Sequence, residues 1–395
     1  MVRRSDERRI LPTLQAGDAL HFGLRSSSCV ALLCGSSISG HSAAARSLSL
    51  AFGRPCSFLL LGVDMKVSVI GAGSWGTALA HVLGLGGNDV MLWARKQEVC
   101  DGVNERHENP RYLIGCKIDS HVKASTSFEE VLSGASAVVI VTPSAVIRQT
   151  CANIAPFVNG DTPIVVCCKG VEEGSGLVPV EVLEAELGNA SRLAALAGPN
   201  HAEEVILGIP AGTVIASQSE QTARFFQGLF ATEAFRTYIS EDVIGVEVCA
   251  AAKNVVAIAC GLSYGMGYGD NTASLLMTRG LAEMSRLVAA CGGMPMTCLG
   301  LAGVGDLIAT CTSEHSRNRT FGYRLAQGTT LERYKAETHM VVEGALACRT
   351  LMSLAESIGV ELPIAETVRR VVWEGSNLEL AAAQLFGREL KPEFY

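Results

Sequence analysis

The residue pattern with the clearest chemistry in this chain is a glycine-rich turn, GAGSWG at positions 71–76. It follows a short apolar run, Lys66–Ile70, and precedes an alanine-rich helical segment. In such a turn Gly71 would allow a sharp bend, Gly73 would let the backbone approach a pyrophosphate, and Gly76 would let the helix pack closely on its strand. Because strand and helix both lie where the pattern needs them, the sequence predicts dinucleotide binding rather than a chance glycine turn.

Three charged side chains are placed where acid–base chemistry could occur. Lys169 directly follows the apolar run Ile164–Cys168, and the carboxyl end of such a strand faces the ligand crevice of an open α/β sheet. Lys253 is a lone cation within an apolar helical segment, where burial would lower its pKa and prepare it to accept a proton. The alternative is a lysine whose ammonium reaches the helix surface. Asp306 offers a carboxylate on a tight, glycine-rich turn.

Two polar segments could contact a small anionic substrate. Ser316, Arg317 and Asn318 place a hydroxyl, a guanidinium and an amide side by side, a set that suits a phosphate, although such a run alone is more often a solvated face. The turn at 198–201 follows another apolar run and can present backbone N–H groups to a substrate. His201 within it could act as an acid or base, but a polar loop favours a solvated or structural histidine.

The end of the second predicted strand bears on the choice of cofactor. An NAD site usually carries Asp or Glu about 20 residues after the glycines, to hold the ribose 2′-hydroxyl. This chain has Arg95 and Lys96 there, two cations that suit a 2′-phosphate. NADP(H) is therefore favoured. Glu98 nearby leaves NAD(H) open, and a solvated basic turn is the alternative interpretation.

The elements that must position these residues alternate between strand and helix from Met65 onward. Short, wholly apolar runs are typical of parallel strands that are buried on both faces. The predicted strands are Lys66–Ile70, Asp89–Trp93, Ala137–Val141, Ile164–Cys168, Leu193–Ala197, Thr213–Ala216 and Ala234–Ser240. After about Glu241 the apolar spacing becomes helical. The sequence thus predicts an α/β fold: a doubly wound, Rossmann-type sheet over 65–244, followed by an all-helical substrate-binding and catalytic domain over 245–395.

Composition limits the number of domains, the kind of partner and the compartment. A chain of 395 residues with 48% hydrophobic content suggests at least two domains, and a net charge of −7 argues against nucleic acid as a partner. No zinc-type cysteine or histidine spacing is present, so no metal is predicted, and the 14 scattered cysteines indicate buried thiols in a reducing, cytoplasmic compartment. No stable membrane insertion is expected. The apolar helical region leaves a homodimer open.

The first 64 residues differ from the rest of the chain. They contain seven Arg, no Lys, four acidic residues and many Ser. This composition is compatible with a disordered tail or an over-extended reading frame, which we favour, and with a targeting segment. We therefore leave 1–64 out of the predicted fold.

Taken together, several strings in this order resemble the NAD(P)-dependent glycerol-3-phosphate dehydrogenase family of bacterial type, over essentially all of 65–395. The most specific strings are GAGSWGTALA, HENPRYL, CCKGVE, AGPNHAEE, AAKNVVAIA, GLAGVGDL, HSRNRTFG and VVEG. The resemblance implies that residues bordering the cofactor are Ser74, Trp75, Arg95, Lys96, Tyr112, Lys169, Ala202, Arg317, Val341 and Glu343, besides the glycines of the turn. It implies substrate contacts from Lys169, Gly198, Asn200, Lys253, Asp306, Ser316, Arg317 and Asn318. Asn200 stands where the family usually has Ser or Thr.

The resemblance also implies a reaction: reduction of dihydroxyacetone phosphate to sn-glycerol 3-phosphate for glycerophospholipid synthesis. Lys253 would be the proton donor or acceptor, Lys169 would help to stabilise the developing negative charge, and Asp306 would orient Lys253 or a substrate hydroxyl. Two alternatives stay open. A β-hydroxyacid or ketopantoate-type dehydrogenase would share the plan but would not need the Ser-Arg-Asn cluster, and a non-catalytic dinucleotide sensor would not need the lysine pair.

Overall fold

An eight-stranded, mostly parallel sheet dominates the first half of the structure, a computed structural model that describes residues 65–338, 341–390 and 392–393. The strands are β1 (Lys66–Ile70), β2 (Asp89–Trp93), β3 (Val122–Ser125), β4 (Ala137–Ile140), β5 (Ile164–Val166), β6 (Leu193–Ala197), β7 (Ala211–Ala216) and β8 (Phe235–Ser240). Their order is β3-β2-β1-β4-β5-β6-β7-β8, so the chain changes direction across the sheet between β1 and β4. Open sheets of this kind bind ligands at such a switch point.

The sheet is buried on both faces because alternate residues of each strand enter different cores. Val67 and Val69 of β1 pack into one hydrophobic core, whereas Ile70 of the same strand and Val138 and Ile140 of β4 pack into the other. A period of two residues places successive side chains on opposite faces of a sheet. The second of these cores continues into the helices that follow the sheet.

Helices cover the sheet and form the second half of the chain. Those among the strands are α1 (Ser74–Leu85), α2 (Gln97–Asp101), α3 (Phe128–Leu132), α4 (Ile147–Ile154), α5 (Pro179–Leu187), α6 (Ala202–Val205) and α7 (Glu220–Phe230). Those after β8 are α8 (Val243–Gly265), α9 (Asp270–Ala290), α10 (Asp306–Thr312), α11 (Arg317–Ala326), α12 (Leu331–Thr338), α13 (Glu343–Ile358), α14 (Pro363–Trp373) and α15 (Leu378–Phe386). Single turns of 3₁₀ helix occupy Ser144–Val146, Ala155–Phe157, Ala190–Arg192 and Pro295–Leu299, and π-helical turns occupy Gly102–Arg106 and Leu301–Gly305.

The long helix α8 is the central element of the helical half. It packs against α9, α11 and α13, and its residues from Val243 to Ser263 are almost all buried. Among the described helices it is the one with the length and apolarity to cross a membrane, but 94% of its most apolar window is buried inside the protein. Burial of this extent is typical of a core helix.

The predicted α/β fold with a helical second half is confirmed, with two differences. The edge strand β3 was not predicted, because Val122–Ser125 is short and alternates apolar with polar residues. The sheet is also not parallel throughout, since β7 runs antiparallel to β6. The connection between them contains only the four-residue helix α6, which does not carry the chain back along the sheet.

Two predicted domain limits, at 64/65 and at 244/245, can be compared with the structure only in part. The extension 1–64 lies outside the described residues. The change from strands to helices occurs between Ser240 and Val243, and the division at 244/245 stays a prediction.

Candidate active site

A buried carboxylate, Asp306, lies between two lysines that come from distant parts of the chain. Lys169 follows β5, and its Nζ lies 2.7 Å from Asp306 Oδ2. Lys253 comes from the middle of α8, and its Nζ lies 3.1 Å from Asp306 Oδ1. Lys253 is only 5% exposed and Asp306 2%. The lysine therefore does not reach the helix surface, and the three charges form one desolvated cluster.

Burial and mutual charge set the protonation of this cluster. Burial lowers the pKa of Lys253 to about 8, with the positive charge of Lys169 acting in the same direction and Asp306 opposing it. Burial alone would raise the pKa of Asp306, but the two neighbouring ammonium groups hold it below its ordinary value. The arrangement gives a lysine that can donate or accept a proton near neutral pH, held beside a carboxylate that stays ionised.

Thr310 completes the cluster and was missed by the sequence analysis. Lys253 Nζ donates to Thr310 Oγ1 at 2.7 Å, and that hydroxyl donates to Asp306 Oδ1 at 3.1 Å. Thr310 lies one turn after Asp306 on α10, so both side chains face the same direction. The spacing of four residues was the available signal. Together the two groups fix the direction of the Lys253 ammonium.

The turn after β6 borders the cluster. The carbonyl oxygen of Gly198 accepts a hydrogen bond from Lys169 Nζ at 3.2 Å. The Asn200 amide donates to the carbonyl of Gly212 at 2.9 Å, while its Oδ1 is buried without a partner. His201 Nε2 lies 3.3 Å from the carbonyl oxygen of Ala309, and burial lowers its pKa. Ala202 is the first residue of α6 and is also buried.

The Ser-Arg-Asn run lies at the start of α11, which packs against α8. Ser316 is the N-cap, and its Oγ accepts from the backbone N–H of Arg319. The Asn318 amide donates to Asn254 Oδ1 at 2.9 Å and its oxygen accepts from the N–H of Gly344. Asn254, directly after Lys253, was not singled out from sequence. This network ties α8, α11 and α13 together, and it leaves the Arg317 side chain exposed.

Glu343, at the start of α13, joins this group electrostatically. Burial raises its pKa, while the positive charges of Arg317, Lys253 and Lys169 pull it in the opposite direction. All three charges of the lysine cluster, Lys169, Lys253 and Asp306, therefore act on Glu343 as well. Val341, two residues earlier, is 47% exposed. The sequence-predicted residues from α8, α10, α11 and α13 thus converge on one region.

The glycine turn between β1 and α1 has the form that dinucleotide binding requires. Gly71 has φ +121°, in the region that favours glycine, and a Cβ at Gly76 would overlap the carbonyl oxygen of Gly71. The N-terminus of α1 has no side-chain cap and no acidic residue in its first turn. An uncapped N-terminus of this kind is a site for an anion.

Two further side chains shape this turn. Asn109 was not given a role from sequence, yet its amide donates to the carbonyl of Ala72 and to Thr77 Oγ1. Its oxygen accepts from the N–H of Tyr112, whose ring is 40% exposed. Trp75 Nε1 is buried without a hydrogen-bond partner. An open helix end together with an unpartnered indole N–H fits a bound dinucleotide.

Arg95 and Lys96 lie apart from the lysine cluster, directly after β2. Both are exposed, and neither has an ion-pair partner among the described residues. Glu98, by contrast, forms an ion pair with Arg111, with Glu98 Oε1 2.5 Å from the guanidinium nitrogen. The Glu98 carboxylate, which left NAD(H) as an alternative cofactor, is therefore already paired with Arg111. Arg95 and Lys96 remain available to the 2′-phosphate of NADP(H). Among the described residues no group of three or more His, Cys, Asp or Glu side chains could hold a metal ion.

Comparisons with known proteins agree on one family. Residues 66–223 match the model described as NAD-dependent glycerol-3-phosphate dehydrogenase N-terminus, and residues 242–383 match the corresponding C-terminus. A glycerol-3-phosphate dehydrogenase [NAD(P)+] of Shouchella clausii is 40% identical over 331 residues, which are 83% of this chain and 97% of that protein.

Solved structures give the same result. The glycerol-3-phosphate dehydrogenase of Coxiella burnetii superimposes with a TM-score of 0.79 at 35% identity, covering 82% of this chain and 99% of that one. A ketopantoate reductase of Ralstonia eutropha superimposes with a TM-score of 0.52 at 15% identity, covering 82% of this chain and all of that one. The second likeness shows a shared fold alone.

Proposed function

The chain belongs to the NAD-dependent glycerol-3-phosphate dehydrogenase family, and on this premise we propose that it interconverts dihydroxyacetone phosphate and sn-glycerol 3-phosphate. The cofactor is NADP(H) or NAD(H), as the names of its relatives indicate. One observation carries the assignment of the site. Lys253, with a pKa of about 8, is held by Thr310 and Asp306 beside Lys169, at the sheet edge where β1 and β5 end.

Lys253 is the proposed proton donor in the direction of reduction. Its ammonium would transfer a proton to the substrate oxygen at C2 as the carbonyl becomes an alcohol, and the neutral amine would take that proton back in the reverse direction. The reduced nicotinamide, when bound, supplies the hydride. Lys169 adds a second positive charge, and Asp306 keeps both ammonium groups in place in a site of low dielectric, where such charges act strongly on a developing alkoxide.

Substrate recognition is assigned to groups on either side of this cluster. Arg317 would bind the phosphate with its exposed guanidinium, next to the N-cap Ser316 and the buried Asn318. Asn200 Oδ1 is a buried acceptor without a partner, and we assign it to a substrate hydroxyl. Gly198 would contribute its backbone. Fixing both ends of a three-carbon substrate places C2 for reaction, and placement supplies much of the rate enhancement.

Cofactor binding is assigned to the first part of the chain. The glycine turn with Ser74 and Trp75 would hold the pyrophosphate, Arg95 and Lys96 the 2′-phosphate of NADP(H), and Tyr112 would border the adenosine half. Ala202, Val341 and Glu343 would complete the nicotinamide end. The proposed division is a cofactor-binding domain over 65–244 and a substrate-binding, catalytic domain over 245–395.

The wider setting is proposed from the reaction itself. A cytoplasmic enzyme of this kind would supply sn-glycerol 3-phosphate for glycerophospholipid synthesis. A homodimer is part of the proposal, since Met296 and Leu299 expose 71% and 60% of their surface. Light scattering of the purified chain measures that state.

Steady-state assays with matched substrates test the proposed function. Initial rates are measured with dihydroxyacetone phosphate and with 2-ketopantoate, each with NADPH and with NADH at equal concentration. We expect turnover of dihydroxyacetone phosphate and a preference for NADPH. Turnover of ketopantoate alone would assign the chain to the other dehydrogenase class, and cofactor binding without turnover of either would make it a sensor.

A further inference from the structure

A pair of buried thiols lies next to the catalytic cluster but has no part in the proposed mechanism. Cys249 Sγ and Cys298 Sγ are 3.5 Å apart, and both residues are at most 1% exposed. Cys249 lies on α8, one turn before Lys253. Cys298 lies in the 3₁₀ turn Pro295–Leu299, on the segment that leads to Asp306. The two sulfurs therefore make contact between α8, which carries Lys253, and the segment that leads to Asp306.

The segment that carries Cys298 is tightly held on both sides. Asp242 Oδ2 accepts from the N–H of Met294 at 2.9 Å and from Thr297 Oγ1 at 2.5 Å. A Cβ at Gly303, three residues before Asp306, would overlap the carbonyl oxygen of Cys298. The backbone at Cys298 is therefore packed closely against Gly303, on the segment that leads to Asp306.

We propose that Cys249 and Cys298 form a redox modification site, at which a small peroxide converts the two thiols into a disulfide and lowers the activity. Cys298, deprotonated to its thiolate, attacks one oxygen of hydrogen peroxide, so that an S–O bond forms and the O–O bond breaks. The hydroxide that leaves takes up the proton released by the Cys298 thiol and becomes one water. The Cys249 sulfur then attacks Cys298, so that the S–S bond forms, the S–O bond breaks and a second water leaves. Two thiols lose two electrons in total, and one hydrogen peroxide becomes two waters.

The two thiols are unequal in a way that suits this order of events. Contact with Cys249 lowers the pKa of Cys298, against the opposing effects of burial and Asp242, while the same contact and burial raise the pKa of Cys249. In the proposed order Cys298, the thiol that loses its proton more readily, attacks the peroxide, and Cys249 is the resolving thiol. Because both sulfurs are buried, the oxidant must be small and uncharged, which hydrogen peroxide is.

Disulfide formation would disturb the catalytic geometry. The sulfurs must approach from 3.5 Å to the bonding distance of about 2.05 Å. That approach draws the turn at Pro295–Leu299 toward α8, and Asp306 moves with it relative to Lys253. A misplacement of about 1 Å can lower a rate by about 100-fold.

A second thiol pair supplies the matched control. Cys260, further along α8, contacts Cys311 on α10, and this contact together with burial raises the pKa of Cys311 well above its ordinary value. Cys260 Sγ also lies 3.9 Å from the carbonyl oxygen of Ala273. Neither feature favours a thiolate on Cys311, so this pair should resist the peroxide.

The test uses the purified full chain, reduced with dithiothreitol, freed of it and then treated with hydrogen peroxide. Non-reducing proteolysis with mass spectrometry should find a Cys249–Cys298 cross-linked peptide. Reduction of dihydroxyacetone phosphate should slow by about tenfold or more, and dithiothreitol should restore it. Reversible inactivation without that peptide, or the peptide without inactivation, would refute the proposal. Peptide mapping needs no turnover, so it stays informative if the proposed function is wrong.

Variants separate the two pairs. Cys249→Ala and Cys298→Ala should keep wild-type activity when reduced and lose the reversible response to peroxide. Cys311→Ala should keep that response. Loss of the response in Cys311→Ala, or its persistence in Cys298→Ala, would assign the effect to other thiols and overturn the inference. Peptide mapping of the chain without substitutions, after peroxide treatment, tests the proposal even if an alanine variant does not fold.

Discussion

Two charged regions of this molecule are built in opposite ways. The cluster of Lys169, Lys253 and Asp306 is buried, and its charges are paired with one another before any ligand arrives. Arg95, Lys96 and Arg317 are exposed and make no ion pair among the residues that the structure describes. In the proposed function the first region is pre-organised around the reacting bond, and the second is left free for ligand phosphates.

The difference follows from the cost of burying charge. Charges in a low-dielectric interior interact strongly, but each must have a partner, so a buried group is held at a fixed place with a shifted pKa. An exposed guanidinium is screened by water and salt, and it gains energy only when a phosphate reaches it. Substitutions in the buried cluster should therefore change the chemical step, and substitutions among the exposed cations should change affinity.

The largest effect is expected for Lys253→Met. Removal of the proton donor should lower kcat by about 1,000-fold, within the range that general acid–base catalysis supplies, while the Kd for NADPH changes less than twofold. Asp306 keeps Lys169 at 2.7 Å, so the fold should persist. Rapid-quench rates and fluorescence titration of NADPH measure the two quantities, with the exposed Lys123→Met as control. If the variant retained a tenth of the wild-type kcat, Lys253 would not be the proton donor.

A smaller effect, confined to affinity, is expected for Arg317→Ala. Loss of an exposed phosphate-binding guanidinium should raise the KM for dihydroxyacetone phosphate roughly 10- to 100-fold and change kcat less than threefold. Arg333→Ala removes another exposed arginine, one that pairs with Glu337, and serves as control. An unchanged KM would place the phosphate elsewhere. A large fall in kcat would mean that the two regions are not separable.

The pH profile should report the buried lysine directly. The pKa of Lys253 is about 8, lowered first by burial, and reduction needs the protonated form. The kcat/KM for dihydroxyacetone phosphate should therefore be level below pH 8 and fall about tenfold by pH 9, whereas the oxidation of glycerol 3-phosphate should rise up to pH 8. In Asp306→Asn the carboxylate that raises this pKa is lost, so the falling limb should move to lower pH. A limb that stayed or moved upward would contradict the assignment.

The sequence identified both lysines of the buried cluster, although it did not show that they lie close together. Lys169 and Lys253 each interrupt or end an apolar element, so local composition alone indicated that their charges were unusual. That they meet at Asp306 depends on the parallel sheet, which brings the end of β5 to the crevice. For Thr310 the one signal was its spacing of four residues from Asp306. A threonine in a helix is ordinary until the carboxylate one turn earlier is known to face a lysine.

Other features depend on packing that no local pattern encodes. The approach of Cys298 to Cys249 joins two segments through tertiary structure, and isolated cysteines in apolar runs indicate only burial. The reversal of β7 follows from a short connection and not from the strand's own residues. For Arg95 and Lys96 the sequence identified the cations, but only the structure shows Glu98 engaged by Arg111.

The smallest effect should come from Arg95→Ala, and it tests how the exposed region selects its ligand. An exposed cation that contacts the 2′-phosphate should contribute modestly, so the KM for NADPH should rise about five- to tenfold while the KM for NADH stays the same. Added salt should weaken NADPH binding to the wild type more than to the variant, because screening removes the same interaction. Arg224→Ala, which removes an exposed arginine paired with Glu220 on α7, is the control. An equal rise for both cofactors would show that Arg95 binds a part they share, and the exposed region would then supply affinity without selectivity.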